Sequence, residues 1–259
     1  MNARASVASS FTIVKGSMIG ETFSVFSAWD DQRSKKENLD SLRESNFIGA
    51  KSDAWLRDVA KVLNRRFDPT GRDAPLVLLA KAGCDLEDWK PLLLWHMTRD
   101  EFLLRDFLVN WLFPQYESGA YRVRNQDLHD YLRTIASRGG STEHVWSENT
   151  LNRVAVGLLK MATDFGLLRG GAIKEYSSYH LTERSFIYLL HAMLEQYKNP
   201  KKVVDSVEWR MFLLRPSDVE RELLRLHQFR KLEYEVAGSL VQLKLPFPSA
   251  GEYAQRMLS

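Results

Sequence analysis

The stretch from Tyr121 to Leu181 constrains the fold most, because it reads as a helix, a turn, a longer helix and then a short polar hairpin. In the longer helix Leu151, Val154, Ala155, Leu158, Leu159, Ala162 and Phe165 recur at i, i+3, i+4, i+7 spacing. That spacing gathers them into one apolar stripe. Ser147 is placed to cap its start and Gly166 to end it. The opposite stripe, Asn149, Asn152, Arg153, Val156 and Lys160, carries amides and cations, the groups that reach base edges and phosphates. A helix of this kind followed by a basic hairpin has the form of an element that lies in a DNA major groove. An ordinary core helix with a solvated outer face has the same pattern.

The remaining segments place this unit in a mainly α chain. Ser10–Lys15 reads as a short extended lead-in, and Asp30–Leu42 as a charged, solvated linker. Met18–Trp29 carries Ile19, Phe23, Phe26 and Trp29 at helical spacing. Ser52 caps a helix on which Trp55, Val59, Val62 and Leu63 share a face. Short apolar helices follow at Pro75–Lys81 and Leu86–Met97. Asp100–Phe113 is apolar nearly all round, which predicts a central buried helix stopped by Pro114. Residues 1–114 therefore read as a helical bundle.

Residues 115–259 read as a second helical unit. Asn125–Ala136 is a helix with Leu128, Leu132 and Ile135 inward, and Arg138-Gly139-Gly140-Ser141 is a flexible turn. Ile173–Leu181 alternates weakly, as a wing strand does. Phe186–Tyr197 is helical. Ser217-Asp218-Val219-Glu220 reads as a capping box, and Leu232–Leu245 as a hairpin turning at Ala237-Gly238-Ser239. The expected class is mainly α: a bundle followed by winged-helix-like elements with short β-hairpins.

Catalysis needs converging groups, and the sequence offers none in a recognised spacing. There is no phosphate-binding glycine loop followed by Lys-Ser or Lys-Thr, no G-x-G-x-x-G after a strand and no H-E-x-x-H. The six histidines are scattered, and Cys84 stands alone. A non-catalytic protein without cofactor or metal is expected. Met1–Ser10 has no apolar core of a secretory signal, and no run approaches the roughly 20 apolar residues that span a bilayer. A cytoplasmic location follows as an expectation.

Binding remains. With 36 basic and 33 acidic residues, the net charge of +3 means that any nucleic-acid surface has to come from local clustering. Three groups are candidates for phosphate contact. The first is Arg57, Lys61, Arg65 and Arg66, within a Lys51–Arg72 stretch of six cations and three acids. The second is Arg138, Arg153 and Lys160 around the long helix; the third is Arg169 and Lys174 at the wing. Asn149 and Asn152 are the candidate base-edge readers. The groups act together only if folding places them on one face.

Several segments resemble the BrxA family of BREX phage-defence systems. They are Asp100-Glu101-Phe102-Leu103-Leu104-Arg105-Asp106-Phe107-Leu108, Trp146-Ser147-Glu148-Asn149-Thr150-Leu151, Asp164-Phe165-Gly166-Leu167-Leu168, Tyr188-Leu189-Leu190-His191 and Trp209-Arg210-Met211-Phe212-Leu213-Leu214. The opening Ser10–Gly16 and the late Leu226-His227-Gln228 with its hairpin also fit. The resemblance implies a mostly helical fold, similar in part to the RNA-binding factor NusB, and double-stranded DNA binding without catalysis. RNA, or other components of the defence complex, are the alternative partners.

Overall fold

The computed structural model describes residues 6–142, 144–238 and 240–257. Residues 1–5 of the amino-terminal segment and Ser239 of the expected hairpin turn lie outside them. The chain is mainly α-helical with two small antiparallel sheets. Helices α1 (Ser10–Lys15), α2 (Ile19–Ser27), α3 (Lys35–Ser45), α4 (Asp53–Arg66), α5 (Ala74–Lys81) and α6 (Leu86–Thr98) come first. Then α7 (Phe102–Phe107) runs through a π-helical turn, Leu108–Leu112, into α8 (Phe113–Glu117). Among the described residues no helix is long and apolar enough to cross a membrane.

After this rod come β1 (Arg122–Val123), α9 (His129–Arg133), α10 (Glu148–Asp164), β2 (Leu168–Arg169) and β3 (Lys174–Tyr176). The three strands pair antiparallel in the order β1-β3-β2, Arg122 opposite Glu175 and Leu168 opposite Tyr176. Helices α11 (Glu183–Tyr197), α12 (Pro200–Val204) and α13 (Pro216–Gln228) follow. The chain continues through the hairpin β4 (Glu233–Ala237) and β5 (Leu240–Lys244) to α14 (Ala250–Met257).

Several segments differ from the sequence expectation, each for a physical reason. Residues 10–15 form α1 rather than an extended lead-in, because Ser9 accepts a hydrogen bond from the Thr12 N–H and Gly16, at φ 88°, closes the turn. The supposed charged linker contains α3. Ser34 and Glu37 exchange capping-box hydrogen bonds, and Asn38, Leu39 and Leu42 are buried. Pro114 does not stop the central helix. It has no N–H to donate, and the chain meets that defect with a π turn in which the Phe113 N–H reaches the Leu108 carbonyl. The helix of residues 125–136 is split into a 3₁₀ turn, α9 and a second 3₁₀ turn, with Leu128, Leu132 and Ile135 buried as expected. Helix α13 starts at Pro216, one residue before the expected box, and Asp218 accepts from the Arg215 N–H at 3.0 Å.

One contiguous apolar core runs through both halves, across residue 114. Its organiser is α1, which packs between α4 and α10. Gly157 of α10 makes this possible: a Cβ there would stand 2.9 Å from the Ile13 carbonyl oxygen and 3.0 Å from its Cγ2. On its other side, α1 is held by Arg66, fully buried, which donates to the Thr12 carbonyl at 2.9 Å and the Ser17 carbonyl at 3.3 Å. Glu101, also buried, lies 3.7 Å from the guanidinium and accepts from the Thr12 hydroxyl at 2.7 Å. Lys15 pairs with Asp58 of α4. A short helix that nucleates poorly alone is thus fixed by tertiary contacts.

Gly157→Ala forces α1 away from α10 and is expected to cost about 1–3 kcal/mol, the range for overpacking a dense core. Urea unfolding of the variant checks this; a midpoint equal to that of the unaltered protein would show that α1 is not closely seated.

Candidate nucleic-acid interface

Helix α10 forms as its sequence dictates. The Ser147 hydroxyl accepts from the Thr150 N–H at 3.3 Å, and the seven residues of the apolar stripe are all buried. The outer stripe divides. Asn149 and Arg153 are exposed, and neither makes a side-chain hydrogen bond or salt bridge among the described residues. Asn152 is half-buried, with its amide oxygen held by the Asn125 side chain at 2.6 Å, so it positions the segment before α9. Lys160 pairs with Asp164 at 3.0 Å and faces a separate cleft lined by Lys15, Lys90 and the start of α2.

On α4, Arg57 and Lys61 are exposed and one turn apart. The Lys61 ammonium lies 4.5 Å above the Phe11 ring, a cation–π contact, and forms no salt bridge among the described residues. Arg65 is half-buried, 3.4 Å from Glu101 and donating to the Val7 carbonyl at 3.2 Å. Arg66 contradicts the expectation outright. It shares the Val59-Val62-Leu63 stripe at i+7, i+4 and i+3, and that phase carries it into the core, where no phosphate can reach. Burial pushes its pKa down and the Glu101 charge opposes that shift.

Arg138 is likewise a structural residue. Its guanidinium donates to Asp106 at 2.9 Å and to the Tyr131 carbonyl at 2.8 Å, and stands 3.9 Å over the Tyr131 ring. Asp106 also accepts from the Tyr131 hydroxyl, whose pKa is raised first by burial and then by this carboxylate. The glycine turn after Arg138 is pinned rather than flexible: the Gly140 N–H bonds to Ile135, and Ser141 exchanges backbone hydrogen bonds with Ser6 and Ala8. A Cβ on Gly140 would meet Phe102 at 2.7 Å.

At the hairpin, Arg169 and Arg122 flank Glu175 at 3.7 and 3.1 Å, and Lys174 reaches back to the Gly170 carbonyl at 2.8 Å. Two guanidinium groups share one carboxylate there, leaving the small sheet with local positive charge.

The fold adds residues the sequence reading passed over. Lys35, Lys36 and Arg43 of α3 face Arg57 and Lys61 of α4 across a groove of which Asp40 is the acidic member. The signal was present in the Ser34-x-x-Glu37 box, which marks a helix start where a linker was expected. A second cleft, of about 560 Å³, opens where Lys61, Asn64 and Arg65 meet Phe11, Trp146 and Thr150 at the start of α10. Because both clefts include Lys61 and Asn64, the α3–α4 groove leads directly to the head of α10.

The sequence profile of the BrxA family matches residues 9–193. The chain belongs to the BrxA family. It is therefore a protein of the BREX phage-defence type. The match runs from the cap of α1 into α11, so the BrxA region contains the α3–α4 groove, most of the cleft at the head of α10, α10 itself and the three-stranded sheet, while α12, α13, the β4–β5 hairpin and α14 follow it. No curated protein matches the chain significantly.

For Arg138, replacement by Ala leaves the buried Asp106 without its cation. A loss of about 3–5 kcal/mol in unfolding free energy is expected, whereas a residue serving only phosphate contact would leave stability unaltered when removed.

Proposed function

We propose that this protein is a non-catalytic, double-stranded DNA-binding member of its defence system, with α10 entering the major groove and the β2–β3 hairpin beside it on the backbone. The observation that carries the reading is topological. Strand β1, the helix pair α9–α10 and the hairpin β2–β3 follow in that order, and the strands pair β1-β3-β2. This order supports a winged-helix reading, in which the second helix of the pair would be the one that reads the groove. The exposed stripe of α10 suits that role chemically. Asn149 offers an amide for a base edge and Arg153 a fork for guanine or phosphate, neither side chain being engaged among the described residues. Arg122 and Arg169, which share Glu175 on the small sheet, would supply the wing's cations for the backbone.

Fluorescence anisotropy with a mixed-sequence 20-base-pair duplex tests this. Affinity is expected to fall steeply with added salt, as counterion release requires. Asn149→Asp with Arg153→Glu is expected to weaken binding by roughly ten- to hundred-fold, the scale of removing one base-edge hydrogen bond and reversing one charge. The melting temperature should stay unchanged, since both side chains are exposed. Unaltered affinity in the double variant removes α10 from the interface. A structured RNA that displaces the duplex at lower concentration overturns the choice of DNA.

A further inference from the structure

We infer that the α3–α4 groove is a second binding surface for the DNA backbone, so that a duplex seated on α10 continues across α4 toward α3. This inference rests on α10 engaging duplex DNA, and extends the site to residues outside the winged unit.

The groove is distinctive in its charge. Surface cations over much of the molecule are matched to acids on their own or a neighbouring element: Arg133 to Asp130 and Glu148, Lys160 to Asp164, Lys201 to Asp205, Arg221 to Asp218, Arg225 to Glu222 and Glu183. Such pairs have little charge left to offer a polyanion. In the groove the balance is five cations, Lys35, Lys36, Arg43, Arg57 and Lys61, to the single acid Asp40. Asp40 serves Arg43 at 3.6 Å, and Lys35 is turned to the Asn64 carbonyl at 2.7 Å. Lys36, Arg57 and Lys61 form no salt bridge among the described residues and are exposed. The floor between them is short, made by Leu39 and Ala60, both buried.

Geometry selects DNA over an acidic protein segment. Arg57 and Lys61, the two exposed cations of α4, stand one turn apart, a rise of about 6 Å, close to the spacing of neighbouring phosphates along one strand. The row ends at the cleft shared with Trp146 and Thr150, at the first turn of α10. A backbone leaving the major groove there meets a line of cations without changing direction.

The full-length protein is tested with Lys36→Gln plus Arg57→Gln, which remove charge at exposed positions, and with Lys36→Glu plus Arg57→Glu as a stronger pair. Duplexes of 10 and 20 base pairs, mixed in sequence, are the probes, and poly-glutamate is the acidic polypeptide compared with them. On the 20-base-pair duplex, the Gln pair is expected to bind about ten-fold more weakly, with the slope of log K against log salt smaller by about two, one for each phosphate left without a cation. On the 10-base-pair duplex both pairs should match the unaltered protein, while Asn149→Asp with Arg153→Glu weakens both. Equal affinity of the Gln and Glu pairs and the unaltered protein for the longer duplex overturns the groove and leaves the α10 reading standing. An equal loss on both duplexes overturns the idea that the groove lies beyond α10. Absence of binding by the unaltered protein to either duplex overturns both. Loss of poly-glutamate binding with duplex affinity preserved makes the groove a protein-docking surface instead.

Discussion

Arg66 and Glu101 lie almost wholly out of water, 3.7 Å apart, and both bind α1: the guanidinium through the carbonyls of Thr12 and Ser17, the carboxylate through the Thr12 hydroxyl. A buried ion pair is an uncertain source of stability, since desolvating two charges costs about as much as their attraction returns. What this pair supplies is position. With residues 12–17 in this placement, hydrogen bonds from α1 and the turn after it are added to both buried charges. The placement brings Ile13 onto Gly157, which sets α10 beside α4. The nearness of Lys61 and Arg65 to Trp146 and Thr150 is a downstream result of that packing.

The same logic recurs beneath α9. Asp106 gathers Tyr131, Arg138 and Asn110 on α7 and the following π turn, holding the segment that precedes α10 onto the central rod. The Asn125–Asn152 hydrogen bond and the Arg133–Glu148 pair then join that segment to α10 itself. Two charged clusters, one acting through α1 and one through the segment before α10, therefore orient a helix that leaves Asn149 and Arg153 exposed. Functional side chains set on elements located by interior polar groups need little reordering when a partner arrives.

How far the sequence disclosed this varies with the kind of signal. Helix α10 was legible because 17 residues of period 3.6, with a serine cap, leave no competing reading. The β4–β5 hairpin was legible from its alternation and turn residues, whereas only Lys174–Tyr176 of the expected strand Ile173–Leu181 is extended and paired, and two-residue β1 and β2 are too short to show a period. Helix α1 was not: six residues give too little period, and Thr12, Ile13 and Val14 favour strand by their branching. Helix α3 was hidden by charge, because only Leu39 and Leu42 mark its buried side. For the cations, charge alone misled. Arg66 and Arg138 are spent inside the protein, and the phase of α4 showed this for Arg66, but nothing local foretold that Asp106, 32 positions away, would claim Arg138. Conversely, the cations of α3 gain significance only from facing α4 across space.

The dependence of the strip on α1 has a dynamic side. Six residues have little helical stability of their own, so their amides are protected from exchange only while the packing on Gly157 and the hydrogen bonds from Arg66 last. Opening of this one turn and a half would release α4 from α10 and uncouple the two stretches of basic surface at once. The lifetime of the α4–α10 arrangement is therefore set by a six-residue helix, well away from the exposed cations of either element.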